Sequence, residues 1–464
     1  MEVLQRTANR GSVSTASYEI DNSLKFEPDN SEYIYRTPSS AGNRKTWTLS
    51  FWLKRTELGA SMRIFEAWDG STGTSALFTD ADLFILDLNA GSNYFTSSAV
   101  FRDTSAWYHF VIRVDTTQGT ASERARVYVN GSELAGSWNS NIGQNTDLTW
   151  NQNVAHNFAR FHNGDSYVSG YYAEIINVDG TSLAPTAFGE VDSASGIWKP
   201  IDASPTYGTN GFKLEFKTAG GLGADTSGNG HTWSLNAIAA ADQATDTPTN
   251  NFCTMNMLDR TNGNSKTQEG ATKVTTDGGS GWCSMVATMG VTKGKWYWET
   301  QRSGGSSDSN DVVVGIVGDS DAYIPYSSAA QYYIGNVAEQ SSMGFYTTAA
   351  PNVRNGSGDS LSNSAGDIIM IGLDMDNSKL YFGINGTWDA LGTGGSTIWS
   401  SFDNQFVLPA VSVYQGKQIK INFGGYASYT ISSANSDADG YGTFEYAPPS
   451  GYYALCTKNL AEFG

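Results

Sequence analysis

Aromatic residues set in polar surroundings are the part of this sequence best suited to surface chemistry. Trp68 stands beside Asp69, Trp138 lies between Ser137 and Asn139, and Trp150 precedes Asn151. The second half adds Tyr323, Tyr326, Tyr332, Tyr333 and Trp388 in equally polar stretches. An exposed indole or phenol ring stacks on the apolar face of a sugar, and a neighbouring Asp or Asn binds the hydroxyls. The expected ligand-binding set is therefore Trp68, Asp69, Trp138, Trp150, Asp165, Tyr323, Tyr326, Tyr332, Tyr333 and Trp388. For any single ring, packing is the rival reading, because Trp and Tyr are mostly buried on average.

Other chemistries have less support. Of four histidines, His109 falls on the Val111 and Arg113 face of a strand and reads as a surface or partly covered side chain. His156, His162 and Asp165 are near one another in sequence but lack the spacing of a zinc site. No Gly-x-Ser-x-Gly elbow occurs, and Cys253, Cys283 and Cys456 share the second half with no histidine, so covalent catalysis is not expected. These cysteines read as reduced core thiols, with a Cys253–Cys283 pair as the alternative. The Gly-rich stretch 220–230 carries Asp225 and lacks the Lys-Ser/Thr end of a phosphate loop, which makes it a turn.

Composition narrows the classes further. The 464 residues carry 28 Lys and Arg against 46 Asp and Glu, a net charge of −18, which would repel nucleic acid. No apolar run approaches the ~18 residues of a membrane helix, so membrane insertion is not expected. With 51 Gly, 13 Trp, 24 Tyr and 21 Phe, the chain reads as turn-rich, aromatic-rich β-protein. Residues 1–20 are polar, lack an apolar signal-peptide core and read as an N-terminal arm.

The elements that must position these residues are strands. Tyr108 to Asp115 is an alternating run, and Arg126 to Val129 is another that ends in Asn130-Gly131. Ile368 to Asp374 and Lys379 to Ile384, ending in Asn385-Gly386, repeat the design. Asn-Gly after an alternating run is the strongest local hairpin signal, since both residues tolerate the positive φ of a type I′ turn. Ala125, Val127 and Val129 share one face, as do Leu380, Phe382 and Ile384, which is the pattern of sheets packed on one side. No helical periodicity persists beyond about two turns. The fold class is all-β, two tandem antiparallel β-sandwiches. Domain boundaries are expected at 21–201 and 253–464, with 202–252 a Gly- and Pro-rich boundary region holding one strand, Phe212 to Phe216.

Trp47 to Lys54, Trp107 to Val111 and Val127 to Gly131 together resemble the laminin-G-like, concanavalin-A-like lectin/glucanase family over roughly residues 20–200. Lys293 to Glu299, Val314 to Ile316, Gly366-Asp367, Ile371 to Asp374, Leu380 to Gly386 and Leu408 to Ser412 resemble a SPRY (B30.2-type) domain in that family's order. The pairing, with its Ser-rich arm and the joint at 247–252, resembles virion proteins of marine tailed bacteriophages. The resemblance implies a lectin-like jelly roll followed by a SPRY-like domain, and recognition rather than catalysis.

Glucanases of this fold carry paired acids on one strand as Glu-x-Asp-x-Glu or Glu-x-Asp-x-x-Glu. The nearest approach, Glu174 to Asp179, has Asn177 out of register and no third acid, so no enzyme is expected. The family often holds calcium through loop acids, which makes Asp69, Asp80, Asp82 and Asp165, and above all the pair Asp225 and Asn229, candidates for that one cofactor. The implied function is a virion-displayed fibre or surface appendage, expected as a homo-oligomer, that binds host-surface glycan or protein and meets other virion proteins through its arm. The alternatives are a structural capsid or tail decoration protein and a glycan depolymerase with acids on separate loops, such as Asp165 and Glu174.

Overall fold

Asn130 and Gly131 have φ of 48° and 79°, the left-handed pair that a type I′ turn requires, and Asn385 and Gly386 repeat it at 49° and 85°. In both turns the Asn also grips the neighbouring strand. Asn130 Oδ1 accepts from the His109 N–H at 2.8 Å, and Asn385 Oδ1 accepts from the Ile368 N–H at 3.0 Å. One local device thus builds a hairpin in each half of the chain.

The structure is a computed structural model and describes residues 18–260, 265–276, 282–302, 312–319, 342–346, 352–354, 365–388, 396–397, 405–414 and 416–464. Strands dominate, and Thr457–Phe463 is the one α-helix among the described residues. The chain divides into two compact units, with Ser14–Thr249 in one and Asn250–Gly464 in the other. The expected boundary region therefore needs correction, because 202–249 belongs to the first unit. It contributes three strands there, and each gains its hydrogen bonds from a sheet that local composition could not reveal.

The first unit is a sandwich of two eight-stranded sheets. Its strands are β1 (Ser23–Phe26), β2 (Tyr33–Arg36), β3 (Thr46–Arg55), β4 (Met62–Trp68), β5 (Gly73–Phe78), β6 (Leu83–Asp87), β7 (Tyr94–Val100), β8 (Trp107–Asp115), β9 (Ala125–Val129), β10 (Ser132–Glu133), β11 (Gly136–Trp138), β12 (Ala155–Phe158), β13 (Gly170–Asp179), β14 (Gly189–Val191), β15 (Trp198–Pro200), β16 (Phe212–Leu214), β17 (Ser234–Asn236) and β18 (Gln243–Ala244). The first sheet runs β10-β9-β8-β3-β13-β1-β18, with β16 also on β13, and the second runs β11-β7-β6-β5-β4-β12-β2-β17. Between them lies a core of Phe51, Phe65, Phe84, Phe110, Trp150 and Tyr172 with their aliphatic neighbours, fully withdrawn from water. Burial of this apolar surface is the dominant favourable term in holding the sheets together.

The two outward faces differ. Over the first sheet, Phe188, Ala203 and Tyr207 pack on Val111, Tyr128, Ile176 and Val178, so β3 and β13 are buried on both sides. Lys54, itself buried, pairs with Asp246 at 2.7 Å, and Asp246 also accepts from the Trp107 indole at 3.0 Å. That face is closed. The second sheet has its outward face dressed only in part, by the loop 159–169.

In the second unit, Trp282–Ala287, Val312–Gly318 and Val407–Tyr414 lie in a six-stranded sheet. Lys295–Arg302, Ile368–Asp374, Lys379–Ile384 and Gln418–Asn422 lie in a nine-stranded one. Trp296, Trp298, Ile371, Phe382 and Val411 fill the space between. Cys253, Cys283 and Cys456 are buried and form no disulfide, as the reduced-core reading expects. Near the C-terminus Tyr453–Ala454 runs parallel to Trp296 and Tyr297, followed by the helix.

Candidate functional site

A polar row crosses the outward face of the second sheet, buried at Asn157, Glu66 and Ser75 and exposed at Tyr35. The register places Tyr35 opposite Asn157, Asn157 opposite Glu66, Glu66 opposite Ser75, Ser75 opposite Asp87, and Asp87 opposite Tyr94. Side chains in register on adjacent strands share one face of a sheet. Two residues beyond Glu66 on β4, Trp68 extends the same face. Two residues before Tyr35 on β2, Tyr33 does so too.

Arg63 joins this face through a bulge. The register slips between Arg63 and Phe65, which makes Ile64 the extra residue. In an unbroken strand, positions 63 and 66 would point to opposite faces, and the bulge brings them to the same one. The Arg63 guanidinium lies 4.2 Å from the Phe161 ring centroid and donates through Nη1 to Ser75 Oγ at 2.7 Å.

The loop 159–169 supplies the second layer. Its backbone is tied down by Arg63 N to Ser166 O, Val168 N to Ala159 O and Phe161 N to Asp165 O. His162 then lies on the Trp68 indole, with centroids 4.3 Å apart and planes only 2° from parallel. Gly73, opposite Trp68, makes room for the ring, since a Cβ there would sit 2.7 Å from its Cε3. Glu66 holds the stack from below: its Oε2 accepts from the His162 backbone N–H at 2.6 Å and faces the ring Nδ1 at 3.1 Å. Burial raises the Glu66 carboxyl above the ordinary Glu range, and Arg63 and His162 offset this only in part. At the other end of the row, Tyr33 is 5.6 Å from Tyr35 and 6.3 Å from Tyr167, with the Arg160 guanidinium 4.1 Å from the Tyr33 ring. Tyr35 is 40% exposed, a rare openness for a large ring in this unit.

The residues expected from sequence scatter. Trp68 falls in this site, half-buried, and Asp165 lies exposed in the loop above it. Asp69 closes the next turn by accepting from the N–H groups of Ser71 and Thr72. Trp138 is on an edge strand rather than a loop and packs on Phe95 at 5.7 Å. Trp150 must be corrected: it is fully buried, and its indole donates to Asn177 Oδ1 at 2.9 Å inside the core. Trp388 is half-buried beside Tyr297 at 6.1 Å. Tyr323, Tyr326, Tyr332 and Tyr333 lie outside the described residues. Glu66, Arg63, Tyr35 and the stacking role of His162 were missed. Alternation along β4 from Trp68 could have found Glu66; the bulge that turns Arg63 leaves no comparable mark.

Groups that resemble catalytic parts are locked into structure. His109 is not a surface side chain but is 1% exposed beneath β15. Its Nδ1 accepts from the Trp198 indole at 2.9 Å, so the proton sits on Nε2, which donates to Ser50 Oγ at 2.8 Å. That tautomer cannot take the serine proton, and burial pushes the imidazole down to about 3. His156 is also buried, accepting from Asn151 N and turned towards Val154 O, so it does not join His162. Glu174, on the first sheet, contacts Tyr18 and Lys213, whereas Asp165 belongs to the loop over the second; they form no acid pair.

The calcium candidates fare similarly. Asp82 is spent on Arg55 and Arg102. Burial would raise Asp225, but the N–H groups of Lys213, Ser227 and His231 outweigh it and hold the carboxyl low. With the Ser227 hydroxyl, four donors occupy its two oxygens, and Asn229 turns its amide N–H to the carbonyls of Gly208 and Gly211. A cation needs oxygens facing it, so this pair does not fit one. Among the described residues no three His, Cys, Asp or Glu side chains gather as metal ligands.

Residues 28–178 match the family model of the concanavalin A-like lectin/glucanases superfamily, and residues 295–426 match that of the SPRY domain. The chain therefore carries a concanavalin A-like domain followed by a SPRY domain. No curated protein matches its sequence. Among solved structures, the SPRY domain of human HERC1 is 18% identical, with 36% of this chain and 96% of that one covered and a TM-score of 0.25. A heptameric SAP-like pentraxin from Limulus polyphemus is 17% identical over 36% of this chain and 80% of its own, at 0.29. A Bacteroides ovatus protein of proposed carbohydrate-binding role is 16% identical over 48% and 60%, at 0.35.

Proposed function

We propose that this protein is a non-enzymatic recognition protein that binds glycan through the outward face of the second sheet of its concanavalin A-like domain. The observation that carries the reading is the Trp68–His162 stack, half-buried and braced by Glu66, on the outward face of the second sheet. Flat rings held by packing and hydrogen bonds lose little entropy when a sugar settles on them, and the polar row supplies partners for hydroxyls. The family description of the first domain supports the same reading.

The setting we propose is the virion of a tailed bacteriophage, where the protein is displayed as a fibre or surface appendage. The arm and the SPRY domain would serve contacts with protein partners of the host surface or the particle. Copies arrayed on a particle multiply a modest affinity per site. No cofactor is needed in this reading.

The test is binding of the full chain to a panel of polysaccharides and to intact host cells, with and without a calcium chelator. Saturable binding that soluble glycan competes away, that survives the chelator and that Trp68→Ala abolishes is the expected result. Binding unaffected by Trp68→Ala would move the site elsewhere, and no binding by wild type would end the glycan reading.

A further inference from the structure

Glu66 is 2% exposed, yet only one of its oxygens is used. Both of its hydrogen bonds run from His162 to Oε2, and among the described residues Oε1 has no partner. Oε1 is not among the fully enclosed side-chain atoms that lack a partner, so it reaches the surface of the site, where a donor from outside can meet it. A hydroxyl can donate; a carboxylate or sulfate oxygen cannot.

Charge points the same way. The carboxylates whose fields reach Arg63 are Glu66, Asp87 and Asp165, three negative groups about one guanidinium. The next cation, Arg160, lies on Tyr33 and donates to the carbonyls of Phe161 and His162, which turns it to holding the loop. Bonds to neutral carbonyls leave the charge of Arg160 in place, so three carboxylates stand against two guanidinium groups and the surroundings of the stack are negative by one charge. An acidic glycan could still donate a hydroxyl to Oε1, but its carboxylate or sulfate would meet like charge, a penalty that a neutral ligand escapes.

Resting on the glycan reading above, we infer that Glu66 is a specificity-determining residue that selects neutral, hydroxyl-rich glycans and rejects uronate or sulfated ones. Oε1 accepts from a ligand hydroxyl beside the Trp68–His162 stack, while Oε2 continues to hold His162 in place. Arg63 moderates the repulsion without reversing it.

The experiment compares the full chain with Glu66→Gln, Arg63→Gln and Trp68→Ala on neutral polysaccharides (starch, mannan, β-glucan) and acidic ones (alginate, pectate, carrageenan) at low salt. Wild type is expected to bind a neutral polysaccharide best. Glu66→Gln should shift the acidic-to-neutral affinity ratio upward by roughly tenfold, the order expected for removing one nearby like charge. Arg63→Gln should shift it downward. Opposite shifts from two neighbours cannot come from a shared loss of packing, so the pair keeps the test sound if one variant folds poorly. Wild type preferring an acidic polysaccharide, or a ratio that neither variant moves, overturns the inference; if Trp68→Ala still abolishes binding in that case, the glycan reading stands without it. Wild type binding neither class overturns both.

Discussion

Each unit buries a glutamate on a sheet face, and the two are held in opposite ways. In the second unit, Glu299 is 0% exposed and both oxygens are engaged. Tyr297 Oη and Tyr446 N donate to Oε1 at 2.8 Å each, and Tyr429 Oη and Glu445 N donate to Oε2 at 2.9 and 3.0 Å. Those donors span the chain from 297 to 446, so one carboxylate ties a long C-terminal segment to its sheet. In the first unit Glu66 receives donors from a single residue and leaves Oε1 unused. Equal burial therefore does not mean equal role. A carboxylate saturated by the fold is structural, and one half-saturated beside a half-buried ring stack has capacity left for a ligand.

The largest effect should come from removing the saturated one. Glu299→Ala strands two backbone N–H groups and two phenols in a dry site, and should lower the stability of the second unit by on the order of 4 kcal/mol. Urea unfolding of the full chain, followed by tryptophan fluorescence, should show one transition moving to lower urea while the other stays. Glu66→Ala should move the other transition by only about 1 kcal/mol. Equal losses in the two variants would break the comparison.

The paired hairpins allow a finer contrast. Gly131 and Gly386 share the left-handed conformation, which costs any other residue about 1–2 kcal/mol. Their surroundings differ, because a Cβ on Gly131 would fall 2.4 Å from the Trp198 ring, whereas one on Gly386 would come no nearer than 3.1 Å to Tyr446. Gly131→Ala should therefore cost roughly 3 kcal/mol and Gly386→Ala roughly half that, read as shifts in the respective unfolding midpoints. The excess at Gly131 measures how firmly Trp198 sits over His109, and its absence would show that the hairpin carrying Trp198 yields easily.

What the sequence made legible follows from where the information lies. Both Asn-Gly hairpins were readable because turn chemistry and alternation sit within a dozen residues. Trp68 was readable as a candidate by its polar neighbours. Trp150 carries the same local signature, yet its indole meets Asn177, an Asn 27 positions away on β13. His109 read as a surface side chain because its cover, Trp198, comes 89 residues later. Strands β16, β17 and β18 read as a boundary because their partners, such as β13 for β16, are supplied by tertiary pairing. Glu66 depends on His162, 96 residues on, and Arg63 on a bulge; neither partner is visible to periodicity. Local rules found the scaffold, whereas long-range contacts decided which of its polar residues were spoken for.

The smallest effect expected is a pH dependence tied to Glu66. Burial raises its folded pKa above the ordinary Glu value of 4.5. The protonated form is then favoured by the fold relative to the unfolded chain, so its contribution is fully present below that ordinary value and is lost as pH rises through the folded one. Glu66→Gln, fixed in a neutral state, should show no such loss. The stability difference between wild type and this variant should therefore tilt in favour of the variant as pH rises from 4.5, with a slope below about 1.4 kcal/mol per pH unit, the ceiling for one proton. Neutral glycan should flatten the tilt, because a hydroxyl donated to Oε1 stabilises the charged carboxylate. A tilt of opposite sign would mean that Arg63 and His162 outweigh burial, and a tilt that neutral glycan leaves untouched would mean that Oε1 does not meet the ligand.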